Sequence, residues 1–214
     1  MSQPPIGRRE RNRQEKLARI KDAAVRLLST TPYDDITTQE LADEADVATG
    51  TFFRYINSKS DLLISVFSDR IQDGLDLAAT LHAEGAKPID SIMALVTPFG
   101  EFTKKMPANA VAYQRAVQFG PPDSPVRIEA LRRVASFGRF IKGVLKDYCD
   151  KHPDSPRVDL NVAAHCIYAT MNLDVVQVAV GHTEAEDQLV TTRHNVSYLL
   201  DVFLKGKSSH NTGI

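Results

Sequence analysis

The chain has 214 residues, 43% of them apolar and 25% charged, with a net charge of −1. These values describe an ordinary globular protein and exclude both a disordered polyelectrolyte and a global field that would attract polyanions. Two cysteines, Cys149 and Cys166, are too few for a disulfide scaffold and lack the spacing of a metal site.

Charge is less even locally, since residues 1–21 hold seven Lys or Arg against two Glu. That stretch is read as a flexible basic arm over residues 1–10, with Arg8, Arg9, Arg11 and Arg13 available to phosphate. No apolar segment follows it, so a signal peptide is not expected. No run nears the roughly 18 apolar residues of a membrane span. The expectation is a cytoplasmic protein with no membrane partner.

Taken in chain order, the segments read as helices. Leu17, Ile20, Ala24, Leu27 and Leu28 recur at helical spacing and predict a first amphipathic helix from about Arg11 to Thr30, ended by Pro32. Thr37-Thr38-Gln39-Glu40 is a capping-box sequence and opens a short helix through Ala45. Ser58-Lys59-Ser60-Asp61 is a second cap of the same kind. It starts a long helix toward Ala83, stopped by Gly85. Pro88 opens a helix that Pro98 should kink or break. Further helices are predicted over Ala108–Phe119, from Ser124-Pro125 to about Asp150, and over residues 158–180, which are apolar nearly all round. Thr183-Glu184-Ala185-Glu186 reads as a third capping box before a final helix to about residue 204.

There is no period-2 strand pattern and no repeat. The fold class is all-α with about nine helices, arranged as a helix-turn-helix domain over 11–60 and a larger helical domain over 61–206. A disordered tail is expected over 207–214. A long fourth helix joins the two domains.

The segment TGTFFRYI, Thr49–Ile56, is β-branched and aromatic, yet it follows a capped helix and a tight turn at Ala45-Asp46-Val47. Read as a helix, it buries Phe52 and Ile56 on one side. Gly50, Thr51, Phe53 and Arg54 then face outward or sideways, with small groups, hydroxyls and a guanidinium suited to a groove of DNA.

With these residues in place, Thr37 to Leu63, "TTQELADEADVATGTFFRYINSKSDLL", resembles the DNA-binding domain of the TetR (tetracycline repressor) family of transcriptional regulators. The resemblance covers about residues 11–67. It implies that Thr37, Thr38 and Gln39 touch backbone or base at the start of the second helix. It also implies that Thr49, Gly50, Thr51 and Arg54 face the major groove, that Tyr55 offers a phenol to phosphate, and that Lys59 binds phosphate. Phe53 stands where the family usually has Tyr, Asp46 where it has the turn Gly, and Ala48 where it has a capping Ser. Thr49 is the expected substitute cap.

The resemblance further implies a ligand-responsive repressor, released from an inverted-repeat operator by a small, mostly apolar effector of unknown identity. Residues proposed for the effector site are Phe99, Phe102, Tyr113, Phe137, His165, Tyr168 and Asn172. His165, Tyr168 and Asn172 are polar groups at i, i+3 and i+7 in an apolar helix, where burial demands partners. Independently, the apolar faces over about 158–204 expose more surface than one small domain covers. Paired across a two-fold axis they would form a four-helix bundle, making a homodimer. The recognition helices would then stand roughly 34–36 Å apart.

Nucleophile elbows, phosphate-binding loops, dinucleotide fingerprints and metalloprotease motifs are missing from the sequence, so neither an enzyme nor a cofactor or metal is expected. A helical interaction module and a DNA-binding activator are the alternative readings.

Overall fold

The computed structural model describes residues 7–206, and among them are ten α-helices, one short 3-10 turn and no strand. The expected arm over 1–6 and the expected tail over 207–214 lie outside the described residues. Helix α1 spans Arg8–Leu28, so residues 8–10 are helical and not part of an arm. Glu10, in the first turn, favours that earlier start by lying at the positive end of the helix dipole. A 3-10 turn at Tyr33–Asp35 leads into α2 (Thr38–Glu44) and α3 (Thr49–Tyr55). Helix α4 (Lys59–Ala83) then leaves this N-terminal unit and runs into the larger one.

The larger unit holds α5 (Pro88–Ala94), α6 (Thr97–Thr103), α7 (Ala108–Phe119), α8 (Pro125–Lys151), α9 (Leu160–Ala179) and α10 (Gln188–Lys205). Pro98 breaks the helix begun at Pro88 into two, which raises the count from nine to ten. Helix α4 packs on α1 at one end and on α5, α6, α7 and α8 along the rest of its length. Leu62, Leu63, Val66, Phe67 and Ile71 form its buried stripe at helical spacing.

Caps follow the sequence in most places. The Thr37 hydroxyl accepts from the Glu40 amide at 3.1 Å, while the Glu40 carboxylate accepts from the Thr37 amide at 2.7 Å. Ser58 and Ser124 cap α4 and α8 by accepting from Asp61 and Arg127 amides. The third box does not form. Helix α9 ends in a turn at Gly181, residues 183–187 stay outside any helix, and α10 starts only at Gln188. Ala48 occupies the N-cap position of α3 with no side-chain bond, and Thr49 does not replace it.

The end of α2 explains the turn. The Val47 amide donates to the Ala42 carbonyl and the Asp46 amide to the Asp43 carbonyl, both at 3.0 Å, which is the Schellman pattern. Asp46, in the position that pattern reserves for a left-handed residue, has φ +52°. Helix α4 ends the same way with Gly85 there, at φ +80°, where no Cβ opposes the conformation. The Asp46 carboxylate meets Arg19 at 3.5 Å but is almost wholly exposed, so that pair contributes little.

Replacing Asp46 with Gly is therefore expected to raise stability by about 1 kcal/mol, since relief of left-handed strain outweighs the weak ion pair; denaturant unfolding measures it. The capping bonds from the Thr37 amide, then from its hydroxyl, hold the Glu40 carboxyl below its ordinary range. Its contribution is thus present above the ordinary Glu range and lost as pH falls through the lowered value. Melting curves of the wild type and Glu40→Gln should converge in acid and separate near neutrality.

Candidate nucleic-acid interface and effector cavity

Helix α3 is short and composed of weak helix formers, so packing has to hold it. Phe52 is completely buried, and Ile56, Leu41, Ala42 and Ala45 are buried with it, as is Ile20 of α1. Burying a Phe contributes about 1.5–3 kcal/mol. One face is thereby fixed inward, and Gly50, Phe53 and Arg54 are left exposed on the other. Phe53 keeps 49% of its surface accessible, its ring edge-on to Phe52 at 5.4 Å. A Cβ added at Gly50 would meet nothing within 4 Å, so the backbone there is open to close approach. Thr51 and Tyr55 are half-buried at the flanks.

Helices α2 and α3 are tied at their open side. The Thr49 hydroxyl donates to Gln39 Oε1 at 2.7 Å, and Gln39 Nε2 donates to Asp43 at 2.7 Å. Gln39 and Thr49, read from the sequence as DNA-facing, therefore form one hydrogen-bonded unit across the helix-turn-helix. Thr37 is exposed, but its hydroxyl is spent on the cap, both accepting from the Glu40 amide and donating to the Glu40 carboxylate at 2.8 Å. Thr38 is half-buried beside it.

Lys59 departs most from its expected role. Its ammonium donates inward to the carbonyls of Tyr33 at 2.9 Å and Ile36 at 2.7 Å, and lies 4.2 Å from the centre of the Tyr33 ring. Two of its three N–H groups thus bind the 3-10 turn before α2. No spacing rule could have shown this, because the carbonyls belong to a loop more than twenty residues away.

The larger unit holds a half-open cavity of about 60 Å³ between α4, α6, α7, α8 and α9. Of the residues proposed for an effector site, Phe99, Tyr113, Phe137, Tyr168 and Asn172 line it. Phe102 does not, packing instead on Phe67 with ring centres 5.2 Å apart. His165 is exposed. It shares a stripe with Asn172 but sits seven residues, about 10 Å, nearer the start of α9. Gln114, missed from the sequence, lines the cavity and donates to Asn172 at 3.0 Å. A polar residue next to buried Tyr113 in a helix as rich in alanine as α7 was the available signal.

The Tyr113 hydroxyl is buried and has no hydrogen-bond partner among the described residues. Burial, then the neighbouring Tyr168, pushes its pKa well up, with the Ser68 hydroxyl acting the other way. Ser68 is itself unpartnered, so neither hydroxyl reaches bonding geometry with the other. Desolvation raises Tyr168 as well, and both phenols are neutral donors at ordinary pH. The rest of the wall is aliphatic and aromatic, with Val96 and Phe99 supplied from the break before and within α6. A space of this size holds about two water molecules, so a larger ligand either extends through the open side or displaces side chains.

Helices α9 and α10 pack on each other and turn Leu173, Val180 and Val190 outward, each more than half exposed. No helix among the described residues is long and apolar enough to cross a membrane.

Residues 20–66 match the model of the bacterial regulatory proteins of the tetR family. Over 123 residues the chain is 28% identical to the HTH-type transcriptional repressor KstR of Mycobacterium tuberculosis, a stretch covering 56% of this chain and 54% of that protein. The chain thus spans about half the length of the curated relatives it matches. Among solved structures it is similar to FadR of Thermus thermophilus in complex with lauroyl-CoA, with a TM-score of 0.62 and 21% identity over 92% of this chain and all of that one. FadR of Bacillus subtilis in complex with stearoyl-CoA gives a TM-score of 0.62 at 18% identity, over 89% and 98% of the two chains. At such identities the structures speak for a shared all-helical fold. Family model, sequence relatives and shared fold agree with the helix-turn-helix geometry: over residues 20–66 the chain is similar to the bacterial regulatory proteins of the tetR family.

Proposed function

We propose that this protein is a ligand-responsive transcriptional repressor that binds an inverted-repeat operator as a homodimer, in the cytoplasm, and is released by a small, mostly apolar effector. The observation that carries the DNA-binding part is the outward face of α3, where exposed Gly50, Phe53 and Arg54 project from a helix anchored by buried Phe52. Thr49, Thr51 and Gln39 lie beside them. Arg54 is the one cation on α3, and it has no ion pair among the described residues that would hold it away from DNA. Tyr55 and Lys59 act on this reading mainly as supports, Lys59 by fixing the turn ahead of α2.

The cavity supports the effector part. An apolar wall with a few neutral hydrogen-bond donors accommodates an acyl chain better than a charged solute. The bound molecules of the two FadR structures make fatty acyl-CoA the first class to test. Leu173, Val180 and Val190 support dimerisation through α9 and α10, because exposed aliphatic side chains on adjacent helices bury well against a two-fold copy.

Selection of bound duplexes from a random pool should enrich an inverted repeat, and no enrichment would refute the proposal. On the selected duplex, Arg54→Ala should lose about 1–3 kcal/mol confined to one base position per half-site. A uniform loss over all sequences assigns Arg54 to phosphate instead. Combining Leu173→Glu with Val190→Glu should yield folded monomers in sedimentation velocity with intact helical circular dichroism, since both sites are exposed. A dimer that survives both charges places the interface elsewhere.

A further inference from the structure

We infer that Asn109 is the positioning residue through which the cavity acts on the DNA-binding unit. It sits in the first turn of α7 and is 98% buried, although its amide is polar and could have been left to solvent. The side chain makes three hydrogen bonds, all to backbone of the other unit. Nδ2 donates to the carbonyl of Leu28 at 2.8 Å and of Thr31 at 3.1 Å, and Oδ1 accepts from the Tyr33 amide at 2.6 Å. One amide therefore closes both the end of α1 and the start of the 3-10 turn. These groups have no helical partners of their own, so leaving them unpaired in a buried place is costly.

From that joint a short polar path leads to the helix-turn-helix. The Tyr33 carbonyl and the Ile36 carbonyl both accept from Lys59 at the start of α4. Ile36 is followed directly by Thr37, the N-cap of α2. In the other direction, α7 carries Tyr113 and Gln114 into the cavity wall one turn beyond Asn109, on the same rigid helix. Gln114 is bonded to Asn172 of α9. A ligand that enlarges this space by pushing on Tyr113 or Gln114 moves α7, and the rigid helix carries Asn109 with them. Three bonds of 2.6–3.1 Å cannot all stretch by an ångström and persist, so α1 and the turn either follow or let go. Arg115 of α7 adds a second tie to the same turn through Asp34 at 2.8 Å, but both side chains are exposed, so this pair contributes little to the joint.

The inference rests on the effector reading above, and its test separates the two. DNA affinity for the selected duplex is measured with and without saturating lauroyl-CoA, and lauroyl-CoA affinity is measured on DNA-free protein. In the wild type, lauroyl-CoA should weaken DNA binding by about tenfold or more, within the usual range of coupling between sites. Asn109→Ala should still bind both molecules, with that factor reduced to about twofold or less. A variant that melts lower but keeps the full factor shows a merely structural role and overturns the inference. If Asn109→Ala does not fold, hydrogen exchange on the wild type decides. Lauroyl-CoA should change protection of the Tyr33 amide several-fold, and an unchanged rate overturns the inference. A wild type that binds DNA but ignores lauroyl-CoA and stearoyl-CoA alike contradicts the acyl-CoA reading itself and removes the inference with it.

Discussion

The ring of Phe67 is the contact on which the two halves of the molecule depend. It lies fully buried on α4, stacked on Tyr113 at 5.0 Å and edge-on to Phe99 and Phe102 at 5.3 and 5.2 Å. Those partners come from α6 and α7, while the start of α4 packs on α1. Each such ring pair is worth about 0.5–1.5 kcal/mol beyond the area it buries. The cluster makes α4 a shared beam, with the helix-turn-helix at one end and the cavity wall along its middle.

Apolar packing alone would set the two units together without fixing their angle closely, since a ring can slide on its neighbours at little cost. The polar joint supplies direction. Asn109 and Lys59 bind carbonyls and an amide of the segment Leu28–Ile36, one from α7 and one from α4. Hydrogen bonds inside a protein are short-range and angular, so a small displacement of α7 is felt there sooner than in the aromatic cluster. The outer face of α3 is the beneficiary. Its residues need to reach outward together, and their own sequence, TGTFFRY, holds a helix poorly without the burial of Phe52.

Much of this was legible from residue order. The Thr37 and Ser58 caps, the Pro98 break, the stop at Gly85 and the inward pair Phe52 and Ile56 follow from rules that act within four or five residues. The same kind of rule misfired at Thr183. A Ser/Thr-x-x-Glu pattern is local and degenerate, and there the turn closing α9 claims the chain first, with the His182 amide donating to the Gln177 carbonyl at 2.9 Å. Helical spacing also carried Tyr168 and Asn172 into the cavity while misplacing His165. Periodicity reports the direction in which a side chain projects and says nothing about how far along the helix the neighbouring helix extends.

Residue order by itself determined the all-α class, the helix-turn-helix and its outward residues, because capping, helical period and the left-handed turn at Asp46 are properties of short segments. Only the tertiary structure decided that Lys59 turns inward, that Gln114 joins the cavity wall and Phe102 leaves it, and that Asn109 clasps the end of α1. Each of those outcomes pairs groups that lie far apart in the chain, and such pairs form only once five helices have converged on α4 and the distances between their faces are set.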